Sequence, residues 1–149
     1  MIMGLSSPPA VAGLSLSGSH PYVISEEENR ALCESIGVVP ASDGSAHPIF
    51  FYIATQVGMG KTVAGLCEAC EFNVDDGPMI GASRVTFFAP LMVNQAYRVE
   101  GEILSLTRKQ SRKMGVMDVL EYELRLRIAG QPTAVSNVNT WMLPRRNLS

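Results

Sequence analysis

The sequence predicts an α+β fold in which an antiparallel sheet wraps around one buried helix. Two observations carry that prediction. Residues 47–60, "HPIFFYIATQVGMG", are apolar nearly all round, and a helix of that kind has to be buried. The chain beyond residue 60 falls into four strand-like stretches joined by tight turns. A helix with almost no polar face needs a broad apolar surface over it, and a curved antiparallel sheet with one dry face provides one. At 149 residues the chain fits one domain with a proper hydrophobic core.

Each element has its own signal, from the N-terminus onward. Residues 1–21, "MIMGLSSPPAVAGLSLSGSHP", are rich in Ser, Gly and Pro and are expected as a flexible arm. The stretch lacks a basic leader and a long apolar run, so it makes a poor signal peptide. In "SEEENRALCESIG", Ser25 is an N-cap with Glu28 three residues on, acidic residues fill the first turn, and Gly37 is a natural stop. "VVPASDGSA" is a loop by composition. Pro48 suits the first turn of the apolar helix, which leaves Thr55 and Gln56 as its few polar residues.

The expected strands are "TVAGLCEACEFNV", "ASRVTFFAPL", "QAYRVEGEILSLTRKQ" with a break at Gly101, and "VLEYELRLRIAG". The last alternates most clearly, through Leu120, Tyr122, Leu124, Leu126 and Ile128. "TAVSNVNTWML" closes the domain, which spans residues 22–146, with residues 147–149 as a tail.

Several motifs stop short of a site. "QVGMGKT" looks like the end of a phosphate-binding loop, but the first glycine position of that motif falls on Thr55. A nucleotide site is therefore not expected. Cys67 and Cys70 form a Cys-x-x-Cys spacing. Only Cys33, His20 and His47 could complete a zinc site. On a strand the two thiols would face opposite sides, so buried thiols are expected, and no metal. The net charge of -2 gives no general pull toward nucleic acid or anionic membrane. No apolar run reaches the ~18 residues of a membrane span, and a soluble cytoplasmic protein is expected.

The ordered set of local strings resembles the MaoC-like dehydratases, a family with the hotdog fold, and most of all the N-terminal half of its two-domain forms. "AHPIFFYIA", residues 46–54, looks like that family's Ala-Pro-Pro-Thr-Phe entry to the central helix, with Pro48 and Phe50 on its second Pro and its Phe. "FFAPLMVNQAYRVEGEI" is similar to its Pro-Leu pair before a strand of the form "xVxGxV", with Asn94-Gln95 where the family has Gly-Asp. "RKQSRKMGVMDVLEYELRL" matches its basic turn, aspartate and long alternating strand.

The resemblance implies hydration of enoyl thioesters, or dehydration of 3-hydroxyacyl thioesters, on coenzyme A or acyl carrier protein. Such chemistry needs a base, an acid and donors to the thioester oxygen. Active members use an aspartate and a histidine in a Gly-Asp-x-Asn-Pro-x-His loop, plus a backbone N–H at the start of the central helix. Here that loop is absent. Asp43 and His47, four apart, are weak candidates for a rebuilt dyad; the bland alternative is that His47 caps a helix or lines a pocket. Pro48 has no N–H to give, so an oxyanion donor would have to come from Ile49 or elsewhere.

By the resemblance, a half that lacks the dyad pairs with one that has it, so the chain is expected as a subunit shaping the acyl pocket, with bulky or steroid-type acyl groups among its substrates. Its partners would be an acyl thioester and a homologous hotdog subunit, in a homo- or heterodimer. No cofactor is expected beyond the coenzyme A moiety of the substrate. Phe50, Tyr52, Ile53 and Gln56 on the central helix are candidate lining residues. Arg108, Lys109, Arg112 and Lys113 in "TRKQSRK" are either a solvated hairpin tip or a clamp for coenzyme A phosphates. Trp141 is expected in packing, and Asp118 as a turn residue. A hotdog thioesterase is the rival enzyme, although no carboxylate lies between His47 and Lys61. A non-catalytic acyl-thioester binding module is the rival outside enzymes.

Overall fold

The structure is a computed structural model that describes residues 5–148. It contains β1 (Tyr22–Val23), α1 (Glu26–Ser35), α2 (Phe50–Gly58), α3 (Val63–Ala69), β2 (Met79–Phe87), β3 (Ala96–Ser111), β4 (Gly115–Ile128) and β5 (Thr133–Pro144), with short 3-10 turns at Val74–Asp76 and Arg146–Leu148. The strands form one antiparallel sheet in the order β1-β3-β4-β5-β2. This is the predicted hotdog architecture. Leu120, Tyr122, Leu124 and Leu126 of β4 are buried, with Val99 and Ile103 of β3 opposite two of them. Phe50 and Ala54 of α2 join them in one core, together with Leu66 and Cys67 of α3.

Local chemistry sets the helix ends. The Ser25 hydroxyl accepts from the Glu28 N–H at 3.0 Å, and Gly37 takes a φ of 72° just past the end of α1. The Glu28 carboxylate does not return the bond to close a capping box. It accepts from the Tyr22 hydroxyl instead, tying β1 to α1.

Residues 62–74 are a correction. The sequence pattern suggests a strand there, and the chain forms α3, with Thr62 as N-cap accepting from the Gly65 N–H at 3.0 Å. Leu66, Cys67 and Cys70 are buried together at helical spacing. Glu71, with a φ of 53°, ends the helix as Phe72 N–H bonds back to the Cys67 carbonyl. The thiols are buried as expected, but a helix and its cap hold them there. Burial pushes the Cys70 thiol up to about 11.

The opening segment also differs from its expectation. Residues 13–18 run along the outer edge of β3, with Gly13, Leu16 and Gly18 N–H bonded to the carbonyls of Ile103, Gly101 and Val99. Leu16 is fully buried. This docking accounts for the glycines of "QVGMGKT". A Cβ on Gly60 would lie 2.4 Å from the Ser17 carbonyl oxygen, and one on Gly18 would lie 1.7 Å from that of Gly58. They allow backbones to touch, while Thr62 serves as the cap of α3.

β3 runs through Gly101 without a break, and its register slips between Ile103 and Ser105 instead. On the solvent face, Glu100–Arg127 and Glu102–Arg125 form ion pairs across β3 and β4, and Arg125 also pairs with Glu123 along its own strand. No helix among the described residues is long and apolar enough to cross a membrane.

Candidate functional site

A cavity of about 280 Å³ lies between α1, the loop before α2 and the segment after β2. Asn29, Cys33, Ala46, His47, Phe87 and Leu91 line it. The loop is held there because Ala46 N–H bonds the Leu91 carbonyl at 2.6 Å. Asn29 is 4% exposed, and its Oδ1 accepts from the His47 backbone N–H at 2.9 Å and, more weakly, from the Cys33 thiol.

The structure does not join Asp43 to His47 by a hydrogen bond. Asp43 Oδ1 accepts from the Ser45 N–H and hydroxyl at 2.9 and 2.6 Å, and these bonds hold the exposed carboxyl below its usual range. His47 Nδ1 accepts from the Ile49 N–H at 3.1 Å. A neutral imidazole so engaged carries its proton on Nε2, which makes that atom a donor. The same bond occupies the N–H that the sequence offered as an oxyanion donor. His47 thus caps the turn that opens α2 and lines the cavity.

Along α2, Phe50 is core at 1% exposed, while Ile53 and Gln56 are half-buried. The Gln56 amide makes no hydrogen bond among the described residues. Tyr52 is 54% and Val57 67% exposed. This corrects the expectation of a helix buried all round: α2 packs one side onto β3 and β4 and leaves apolar surface uncovered. Phe51 makes an edge contact with Phe87, which sets that surface beside β2. β2 is an edge strand, and Ile80 is 67% exposed.

The four basic residues do not converge. Lys109, Arg112 and Lys113 are exposed at or beside the β3–β4 hairpin tip. Arg108 turns inward, and its guanidinium grips Asp118 through two bonds of 2.7 and 3.1 Å. Asp118 is fully buried and also accepts from Arg145 at 2.8 Å. That arginine bonds the carbonyls of Cys70 and Glu71. Arg108 also bonds Ser6. The pair Arg108–Asp118 therefore ties the opening segment to the sheet, and Asp118 is its buried centre, where the sequence offered a turn residue. The tip lies at the opposite end of β4 from Leu126, whose row includes Phe87 of the cavity, ~30 Å along the strands.

A second polar group was not singled out from the sequence. Ser83 of β2, Asn139 of β5 and Tyr122 of β4 stand opposite one another across three strands. The Ser83 hydroxyl donates to Asn139 at 2.6 Å, Asn139 donates to Asn137 at 2.9 Å, and Asn137 donates back to Ser83 at 3.0 Å. Trp141 is next on the same face, and its ring meets that of Tyr122 edge-on at 6.0 Å. Burial pushes the Tyr122 phenol up to about 12, against the pull of the Asn139 amide and the Trp141 indole. The signal lay in "VSNVNTW", where asparagines occupy alternate positions on the face that carries Val135 and Leu143 into the core.

No protein-family model and no curated protein matches the sequence. Solved structures do match. A MaoC-like dehydratase from Rhodospirillum rubrum is 10% identical over 91% of this chain and 93% of its own, with a TM-score of 0.65. The ChsH1-ChsH2 complex from Mycobacterium tuberculosis is 12% identical over 87% and 82%, with a TM-score of 0.64. The HadBC (3R-hydroxyacyl-ACP dehydratase) complex from the same organism is 12% identical over 89% and 96%, with a TM-score of 0.60. Thioesterases match as well. The chain has the hotdog fold, in the form it shares with MaoC-like dehydratases.

Proposed function

We propose that this chain is an auxiliary subunit of an enoyl-thioester hydratase or 3-hydroxyacyl-thioester dehydratase. It shapes the acyl pocket, and a hotdog partner with an intact aspartate–histidine loop supplies the chemistry. One observation carries the reading: the unpaired edge of β2 runs beside the uncovered apolar face of α2, with Ile80, Phe87, Tyr52 and Val57 all exposed. A nine-residue edge strand with apolar side chains is a template for another strand, and a matching hotdog subunit offers both a strand and a helix. The likeness to the HadBC and ChsH1-ChsH2 complexes supports such pairing. The separate commitments of Asp43 and His47 support an auxiliary role.

In this reading the thioester lies near the start of α2, with Ile53 and Gln56 lining the acyl path and Nε2 of His47 as a donor. Lys109, Arg112 and Lys113, at the far end of β4 from this cavity, are a solvated hairpin tip and not a clamp for the coenzyme A phosphates. Arg108 supports that hairpin from inside. Coenzyme A enters only as part of the substrate. A thioesterase reading has less behind it, since α2 carries no Asp or Glu.

The test is enoyl-CoA hydration by the chain alone and after co-expression with a dyad-bearing hotdog subunit. Activity is expected only for the pair, and Ile80→Asp with Tyr52→Glu should abolish association on gel filtration while leaving the chain folded. Turnover by the chain alone that His47→Ala and Asp43→Ala abolish would overturn the auxiliary role. Hydrolysis of saturated acyl-CoA by the chain alone would favour the thioesterase.

A further inference from the structure

Asn29 of α1 stands between two hollows and has a donor group left unanswered. On one side is the cavity of about 280 Å³ beside His47, and on the other is a hollow whose walls include Glu26, Arg30 and Ser42. Asn29, Ala41 and Ser45 line both, so the two adjoin. The partners of the amide fix its orientation. A backbone N–H can only donate, so the Asn29 oxygen is the atom that faces the His47 N–H at 2.9 Å, and the Nδ2 group is turned away from it. That group makes no hydrogen bond with any described residue, on a side chain of a residue 4% exposed. Buried side-chain donors in folded proteins are paired. An acceptor beside α1 has to answer this one.

The walls say what kind of acceptor fits. Val38, Val39, Phe87, Pro90 and Leu91 make the cavity largely apolar, and no Asp, Glu, Lys or Arg lines it. A carboxylate or phosphate there would be desolvated without a counter-charge, whereas a neutral carbonyl on an apolar chain would not. Val39 is 86% and Phe87 42% exposed, so a ligand chain would also cover apolar surface that water now meets. The second hollow offers charged and hydroxyl groups instead. A ligand lying across Asn29 is therefore apolar on one side and polar on the other, with its carbonyl between. An acyl thioester has that order: apolar chain, carbonyl, polar pantetheine arm.

We infer that Asn29 Nδ2 donates to the thioester carbonyl oxygen, with the acyl chain in the apolar cavity and the carrier arm leaving through the hollow beside Arg30. This rests on the acyl-thioester reading of the chain and names the residue that recognises the thioester. The same side chain holds the His47 loop through its oxygen, so one amide both shapes the cavity and reads its occupant.

The probes are butyryl-CoA and S-butyl-CoA, the thioether in which a methylene replaces the carbonyl. A short chain suits a cavity at the small end of ligand pockets, which run from about 300 to about 1,000 Å³. Calorimetric titration of the full chain, alone and with the dyad-bearing subunit, should show butyryl-CoA bound about ten-fold more tightly than the thioether. Asn29→Asp keeps an oxygen for the His47 N–H and loses the donor, so it should erase that preference, and thermal unfolding checks that the variant is folded. The substitution is made in this chain only, so a preference contributed by the partner would survive it. Infrared spectra of butyryl-CoA labelled at its carbonyl carbon give a direct readout: the bound carbonyl band should lie at lower frequency with the parent chain than with Asn29→Asp.

Equal affinity of the parent chain for the two probes would overturn the inference and leave the proposed function standing, since the thioester would then be held by other contacts. A preference and a carbonyl band that both survive Asn29→Asp would overturn it as well, because a different donor would be in use. No binding of either probe, with or without the partner, would remove the acyl-thioester reading and this inference together.

Discussion

Asp118→Ala should be the most damaging single substitution at the hairpin end of the sheet. The carboxylate is fully buried and accepts three charge-assisted bonds, of 2.7 and 3.1 Å from Arg108 and 2.8 Å from Arg145. Removing it leaves two guanidinium groups facing each other with no anion between them. Breaking a buried ion pair by deleting one partner costs about 3–5 kcal/mol. Against a total stability on the order of 5–15 kcal/mol, that is a large share. At a urea m-value of about 2 kcal/mol/M, the midpoint should fall by about 2 M. Since Arg108 holds Ser6 and Arg145 holds the carbonyls at the end of α3, hydrogen exchange should quicken at both places before it does in β4.

The control is the triple variant Arg108→Met, Asp118→Leu and Arg145→Met, which removes the charges together. Apolar replacement of a whole buried ionic cluster is often neutral, so the triple variant should regain at least half of the loss. A midpoint shift below about 0.5 M for Asp118→Ala would refute the reasoning. So would a triple variant as unstable as the single one, because the cost would then lie in packing and not in stranded charge.

Two further outcomes concern other parts of the molecule. Gly60→Ala forces a methyl group against the Ser17 carbonyl, so thermolysin should cut within residues 5–18 much faster than in the parent protein, whereas Lys61→Ala should leave that rate and the stability unchanged. Acid should weaken the outer face: Arg127 holds Glu100, and Arg125 holds Glu102, below the usual carboxylate range. A lowered folded value means stabilisation that is present above the unfolded value of about 4.3 and fades as pH falls through the folded one. These groups are exposed to solvent, so the effect is small and shrinks with salt. Urea midpoints from about pH 6 to about pH 3 should show a low-pH slope that Arg125→Met with Arg127→Met flattens.

The sheet was legible because β4 writes its alternation plainly, with Leu120, Tyr122, Leu124 and Leu126 inward and charged residues between them. The central helix was legible from its lack of a polar face. Residues 62–74 misled because Val63, Cys67, Cys70 and Phe72 fit a buried strand as well as a helix, and a short apolar run does not decide between them. The cap at Thr62 was the deciding signal, hidden inside a string that reads as a phosphate loop. The docked arm could not be read locally. It depends on Gly18, Gly58 and Gly60 meeting from separate stretches of chain, and spacing in the sequence does not encode such a meeting. The same holds for Asp118, since its two arginines come from β3 and from beyond β5. Asp43 and His47 were legible as residues, but whether they met depended on Ser45 and Ile49 competing for them.

The uncovered apolar surface and the polar ring lie on the same side of the molecule, and each limits what the other can mean. Ile80, Phe87, Tyr52 and Val57 call for a cover, because apolar area of that extent is stabilised by leaving water. A polar row sealed beneath such a cover opposes association only where its groups lose hydrogen bonds that water had supplied. Ser83, Asn139 and Asn137 bond one another, so they keep their partners when water leaves. A partner can therefore close over the β2 edge and the helix without stranding the row beneath it.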